Sequence, residues 1–168
     1  MQQDQSRFDL DATTVALSAV FGAAVTVGTM AISVPVGMGY LNFGEVIIYT
    51  AAFLFGRTVA GLAGGVGSAA ADILLGYPFY APITLVAKGT EGYVVGRLSG
   101  ASFRSKAIAV AAGAPIMIGA YVLARAVLEG IPAAIFQELP MDVLQAVAGF
   151  VIAVPLSRLL EDRIPELR

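Results

Sequence analysis

Long apolar runs, separated by short clusters of glycine, proline and charge, set the pattern of this chain. A helix that crosses a bilayer needs about 20 mostly apolar residues. Six runs fit that template, at about 12–34, 44–56, 58–75, 82–98, 106–128 and 140–160. The second is short for a span, so it is expected to tilt less than its neighbours or to begin inside the bundle. Between the first two lies "SVPVGMGYLNFG", a loop broken by Pro35, Gly37 and Gly39. Arg57 closes the second run, and "GYPFYAP" turns the chain after the third. Pro115 and Pro155 fall inside the last two runs and are expected to kink them or loosen a turn. The pattern predicts an all-α membrane protein, a single six-transmembrane-helix bundle in which residues 1–168 form one domain. No repeat of 20–50 residues interrupts it.

Charge orients the bundle. Arg7, Arg57, Arg97, Arg104, Lys106, Arg158, Arg163 and Arg168 fall on one side, eight of the ten basic residues. The opposite loops carry Glu129, Glu138 and Asp142. Basic residues accumulate in cytoplasmic loops, so both termini are expected inside the cell (N-in, C-in). The opening "MQQDQSRFDLDATT" has no basic stretch followed by a short apolar core, as a cleavable signal would. It reads as a short cytoplasmic lead-in, with Asp11 or Thr13 capping the first helix.

Composition strengthens the membrane assignment and narrows the chemistry. The 168 residues are 58% hydrophobic and 13% charged, with mean hydropathy +0.82, whereas soluble domains are about a quarter charged. Cysteine and histidine are both absent. That argues against zinc, iron–sulfur and haem sites, and against nucleophilic catalysis by Cys–His or Ser–His–Asp groups. No metal or cofactor is expected, and a net charge of −2 gives no reason to expect nucleic acid.

Two helix faces stand out. Ala12, Ala16, Ala19 and Ala23 share one side of the first helix, as small residues do where helices approach closely. They suit packing inside the bundle or docking of a partner protein. Gly61, Gly64, Ser68 and Asp72 form a line on the third run. The pattern Gly65-x-Gly67-x-x-Ala70 matches a dinucleotide fingerprint only formally, since that fingerprint needs a preceding strand; close helix packing accounts for it. "RLSGAS" at 97–102 matches part of the ATP-transporter signature, but no phosphate-binding Gly-x-x-x-x-Gly-Lys-Ser/Thr accompanies it. This chain is not expected to hydrolyse ATP.

The chemistry lies in the fourth run, "ITLVAKGTEGYVVG". Counted from Pro82 at 1.5 Å per residue, Lys88 sits about 9 Å deep and Glu91 about 13 Å. A charge at the bilayer centre costs about 2.5–3.5 kcal/mol on insertion scales. Pairing across one helical turn would offset the cost without explaining why either charge is present, so both are assigned to a site. Asn42 and Glu45 begin the second run at compatible depth, and Asp72 ends the line on the third. Tyr77 and Tyr80 lie in the turn; Tyr121, Arg125 and Glu129 are spaced by four on the fifth run; Gln145 is about two turns down the sixth. Lys88, Glu91 and Arg125 would hold charged groups of a ligand. Tyr80 and Tyr121 would offer ring faces, and Asn42, Glu45, Asp72 and Gln145 hydrogen bonds or charge. Together they predict an outward-facing pocket for a small polar molecule with a ring.

The stretch "GMGYLNFGEVIIYTAAFLFGRTVAGLAGGVGSAAADILLGYPFYAPITLVAKGTEG" resembles the substrate-binding S components of energy-coupling factor (ECF) transporters, in the branch linked with vitamins and their precursors. The resemblance implies a non-enzymatic plasma-membrane subunit that binds one vitamin-like molecule from outside. Riboflavin, pyridoxine and hydroxymethylpyrimidine are examples. It further implies delivery inward together with a transmembrane coupling protein and two cytoplasmic ATPases. In that family an Ala-x-x-x-Ala motif docks on the coupling protein, and Ala12-x-x-x-Ala16 matches it, with Ala19-x-x-x-Ala23 as a repeat. The loop after the first helix covers the family's site. Substrate contacts vary with each vitamin, so the site residues above rest on depth and facing alone. Two other classes compete. One is a self-sufficient proton- or sodium-coupled secondary transporter, for which six helices without an inverted repeat are few. The other is an intramembrane enzyme or assembly factor, neither of which explains a pocket with sunken charges and no catalytic motif.

Overall fold

The computed structural model describes residues 11–36 and 39–163; Arg7, Arg168 and Gly37 lie outside the described residues. Helix α1 runs Ala12–Ala31. Asp11 caps it, accepting the Thr14 backbone N–H at 2.7 Å. Hydrogen bonds from the Thr14 side chain and amide hold the Asp11 carboxyl below its ordinary pKa.

The first run is shorter than expected because the chain leaves the helix for a strand. The expected loop is an antiparallel hairpin, β1 (Ser33–Val36) and β2 (Gly39–Asn42). Its register sets Ser33 against Asn42 and Val36 against Gly39, the short connection that a hairpin needs. Pro35 is tolerated because a strand in a two-stranded ribbon has one edge free of ladder bonds.

The second and third runs, expected to meet at Arg57, are joined in one helix with its break at the neighbouring Gly56. No loop parts them: helix α2 is a single run, Gly44–Leu74, interrupted by one residue, Gly56, at φ 78° and ψ −164°. Glycine alone enters that region without a Cβ penalty, so one residue can do the work of a turn. Were α2 straight, Ile48 and Gly64 would stand about 24 Å apart. Instead a Cβ built on Gly64 would lie 3.3 Å from Ile48 Cγ2. The run therefore doubles back at Gly56, laying 57–74 along 44–55.

Helix α3 spans Ala81–Leu98, with Pro82 in its first turn, and α4 spans Phe103–Glu129. Only Gly130, at φ 93°, separates α4 from the next helical run. That run starts with the short α5 (Ile131–Ala133), passes through a π-helical turn at Ala134–Glu138 and continues as α6 (Leu139–Arg163). The predicted sixth run thus begins about nine residues early. Pro115 and Pro155 sit inside α4 and α6 without ending either helix.

Four runs among the described residues are long and apolar enough to cross a membrane: α1, α2, α4 and Ile131–Arg163. That is fewer than the six expected. Doubling merges two of the six into α2, and α3 carries Lys88, Glu91 and Arg97 within its 18 residues. The exterior is apolar: Val20, Val27, Leu123, Val127 and Phe136 are each more than 60% exposed. Small residues make up much of the interior. Ala51, Ala60, Ala63 and Ala71 are fully buried, and a Cβ on Gly67 would meet the Gly22 carbonyl oxygen at 2.5 Å. At that α1–α2 contact the Thr26 hydroxyl donates to the Gly67 carbonyl at 2.8 Å. Gly65 and Gly67 of α2 therefore serve close helix packing, the first against α3 and the second against α1.

Candidate binding site

A cavity of about 580 Å³, counting the open space at its mouth, lies where α1, β2, both halves of α2, α3, α4 and α6 converge. Doubling of α2 makes this possible, since Ile48 from its first half and Ser68 and Asp72 from its second line the same space. Of the nine predicted substrate residues, six line it directly: Asn42, Asp72, Tyr80, Lys88, Tyr121 and Gln145.

Glu45 and Glu91 stand one layer behind, and they explain Lys88. The Lys88 ammonium pairs with Glu45, and with Glu91 Oε2 at 3.4 Å. All three are buried: Lys88 is 4% exposed, Glu45 1% and Glu91 0%. The i,i+3 pairing weighed from sequence therefore exists, but Glu45, 43 residues away in sequence, makes the closer contact. From this centre hydrogen bonds run outward in two directions. The Tyr49 hydroxyl donates to Glu91 Oε1 at 2.7 Å. Gln145 Nε2 donates to Glu45 Oε2 at 3.2 Å, and Gln145 Oε1 accepts from both the backbone N–H and Nδ2 of Asn42, each at 3.2 Å. Asn42 Oδ1 in turn accepts the Gly44 N–H at 2.9 Å. The network thus ties the end of β2 to α6, α2 and α3. Buried charges persist only when paired and bonded in this way, and here two carboxylates share one ammonium. The Lys88 nitrogen also lies 5.8 Å from the centroid of the Tyr121 ring, whose hydroxyl donates to Thr84 at 3.0 Å.

Arg125 belongs to the rim, not the cavity wall. It is 1% exposed and holds Glu129 at 3.1 Å, Glu138 at 3.7 Å and the Gln137 side chain at 3.2 Å. Glu138 and Gln137 sit on the π-helical turn, and Glu138 lines the cavity. Arg125 thereby fastens that turn to the end of α4.

Several lining residues were not singled out from sequence: Thr29, Thr84, Glu138 and Asp142. Asp142 had a legible signal, because it lies three residues before Gln145 and so on the same face of α6. Thr29 had one too, since it shares an inward α1 face with Gly22 and Val25. Tyr49, fully buried and bonded to Glu91, gave none.

Ala12, Ala16, Ala19 and Ala23 are all exposed. They do not pack inside the bundle; the opposite face of α1, with Gly22, Val25 and Thr29, does. Away from the cavity, Lys106 is buried at 2% exposure, donating to the Ser157 hydroxyl at 2.9 Å and lying 4.9 Å from the Phe53 ring centroid. Among the described residues no cluster of acidic side chains has a metal-holding arrangement.

The chain is 44% identical over 145 residues to an "uncharacterized protein in gap 3'region" of Pyrococcus woesei, covering 84% of this chain and 97% of that one. It is 32% identical over 117 residues to the thiamine precursor transporter HmpT of Lactococcus lactis subsp. cremoris, covering 70% of this chain and 67% of that protein. Residues 9–162 match the family model of the ECF-type riboflavin transporter S component. With nearly the whole chain matched and a polar cavity at the meeting point of its apolar helices, this protein belongs to the family of ECF-type riboflavin transporter S components.

Proposed function

We propose that this chain is the substrate-specific binding subunit of an ATP-driven micronutrient uptake transporter. It takes a vitamin or vitamin precursor from outside and delivers it inward with a transmembrane coupling protein and two ATPases. The observation that carries this proposal is the buried Lys88–Glu45–Glu91 centre beneath the cavity. A packing role would be met better by apolar side chains, whereas a binding subunit needs fixed polar groups in a lipid-solvated bundle. The tyrosines at positions 77, 80 and 121 offer flat faces to a ring. The relative that transports a thiamine precursor supports a ligand of vitamin-precursor size.

In the proposed membrane arrangement the two halves of α2 cross separately, and α3 crosses with Lys88 and Glu91 turned inward. The six crossings leave both termini in the cytoplasm of a plasma-membrane protein. Arg57, Arg97, Arg104, Arg158 and Arg163 are exposed at the cytoplasmic end. The exposed alanine stripe of α1 is the docking surface for the coupling protein.

Native mass spectrometry of the detergent-purified protein, with no ligand added, tests this. A co-purified mass in the range of a vitamin or precursor is expected. A bare protein mass, with no thermal shift from a vitamin panel, would overturn the proposal. Uptake that survives deletion of the ATPases would point instead to an ion-coupled transporter.

A further inference from the structure

At the cytoplasmic end of the membrane arrangement proposed above, on which this inference rests, two arginines are brought together. A Cβ built on Gly96 would lie 2.5 Å from the Gly56 carbonyl carbon and 2.7 Å from Arg57 Cα. The reversal of α2 therefore packs its backbone directly on the last turn of α3, and Arg57 stands beside Arg97. Both side chains are exposed. The Arg57 guanidinium carbon lies 5.7 Å from the centroid of the Tyr93 ring, and Tyr93 is one turn before Arg97 on the same face of α3. Among the described residues neither arginine is paired with a carboxylate. The end of α6 differs, because there Arg158 and Arg163 are interspersed with Glu161 and Asp162.

Like charges held close repel unless an anion lies between them. A general excess of positive charge on the cytoplasmic side does not call for the glycine contact that draws these two together. Beyond the pair, the surface is apolar. Gly61 and Gly89, both partly exposed, floor the seam between α2 and α3, where a Cβ on Gly61 would meet the Gly89 carbonyl oxygen and Tyr93 Cβ, each at 3.2 Å. Leu62, Val66 and Leu85 are exposed beside that floor. The Thr90 side chain belongs to the neighbouring groove between α3 and α4. From Arg57 to Val66 the seam rises about 14 Å. A pair of cations at one end of an apolar track is the complement of an amphiphile with an anionic head.

We propose that Arg57, Tyr93 and Arg97 bind the headgroup of an anionic phospholipid, with one acyl chain laid along the glycine-floored seam between α2 and α3. The arginine fork meets phosphate oxygens through two parallel hydrogen bonds. Basic pockets between membrane helices on the cytoplasmic side take such headgroups. The Tyr93 ring steadies Arg57 through its π face, which leaves the guanidinium edge free for the phosphate. The bilayer around the exposed seam supplies an anion that carries its own apolar tail, so both halves of the site are filled by one molecule.

The test is native mass spectrometry of the delipidated full chain in detergent, given equimolar phosphatidylglycerol and phosphatidylcholine with matched long acyl chains. Phosphatidylglycerol adducts are expected to exceed phosphatidylcholine adducts by about tenfold. The Arg57→Gln/Arg97→Gln variant should lose that preference, and Arg158→Gln/Arg163→Gln should keep it, with thermal melts confirming that both variants fold. Equal binding of the two lipids by the parent chain, or equal loss in both variants, would overturn the site. A short-chain phosphatidylglycerol should bind much more weakly than the long-chain lipid; equal binding would strike out the seam. A preference that survives Arg57→Gln/Arg97→Gln, in a variant that no longer co-purifies with the coupling protein, would give the pair to that protein and overturn the lipid assignment. The uptake reading fails separately, because a vitamin-sized mass bound to the parent chain is read from the same protein before delipidation and does not depend on either lipid.

Discussion

The Tyr49 hydroxyl donates to Glu91 across 2.7 Å, with neither residue exposed to solvent. Tyr49 is on the first half of α2 and Glu91 is in the middle of α3, so this bond pins the floor of the cavity to two helices at once. Tyr49→Phe keeps the ring and its stacking on Phe53, 6.4 Å between centroids, and removes only the donor. A hydrogen bond to a charged group contributes about 1.5–3 kcal/mol. The thermal unfolding midpoint in detergent should therefore fall by roughly 3–12 °C. An unchanged midpoint would mean that Glu91 does not depend on Tyr49.

Lys88 neutralises two carboxylates, so its removal should be worse than the removal of the whole centre. Lys88→Met leaves Glu45 and Glu91 buried without a cation, and breaking a buried pair costs about 3–5 kcal/mol. Adding Glu45→Gln and Glu91→Gln removes the stranded charges and should recover most of that stability. The triple variant is expected to fold yet bind ligand poorly. Thermal unfolding and calorimetry on the single and triple variants separate the two effects. A triple variant no more stable than Lys88→Met would contradict the account of the centre as a charge-balanced unit.

Much of this site was legible because charge inside a lipid-facing sequence is expensive. Lys88 and Glu91 announced themselves by depth alone, and Asn42, Asp72 and Gln145 by their position near helix ends. Their partners were not legible. Glu45 and Lys88 are 43 residues apart, and only the reversal at Gly56 brings the halves of α2 together. Hydropathy places a boundary at Gly56–Arg57, but a boundary does not say which side chains the two halves bring together. Depth does not distinguish a wall from a rim, and Arg125 lies at the rim, beside Glu129, Gln137 and Glu138. The hairpin was missed for a related reason: four-residue strands rich in glycine and proline look like loop.

Glycine positions in this bundle should divide sharply by environment. A Cβ at Gly67 would sit 2.5 Å from the Gly22 carbonyl oxygen and 2.9 Å from the Val25 Cβ, in backbone that cannot move without parting α1 from α2. At Gly119, on α4, it would meet nothing within 4 Å. Gly67→Ala is thus an overpacking change, costing about 1–3 kcal/mol. Gly119→Ala gains helix propensity and should be neutral or stabilising by up to about 1 kcal/mol. Parallel thermal melts of the two variants check the contrast. Equal effects would mean that the α1–α2 contact is looser than its geometry.

The alanine stripe of α1 yields the cleanest separation of binding from coupling. Ala16 is exposed, on the face of α1 opposite Gly22 and Val25, and it does not line the cavity. A bulky substitution there, Ala16→Trp, faces lipid and should change stability by no more than about 0.5 kcal/mol, as surface changes do. Ligand affinity should also be unchanged. If the stripe receives a helix of the coupling protein, however, the indole holds the two backbones apart and removes the close contact that small residues allow. Co-purification of the variant with the coupling protein and ATPases should fall at least tenfold, and uptake with it, while calorimetry on the isolated subunit matches the parent protein. Retained co-purification would assign the stripe to lipid and move the search for the docking face to another helix.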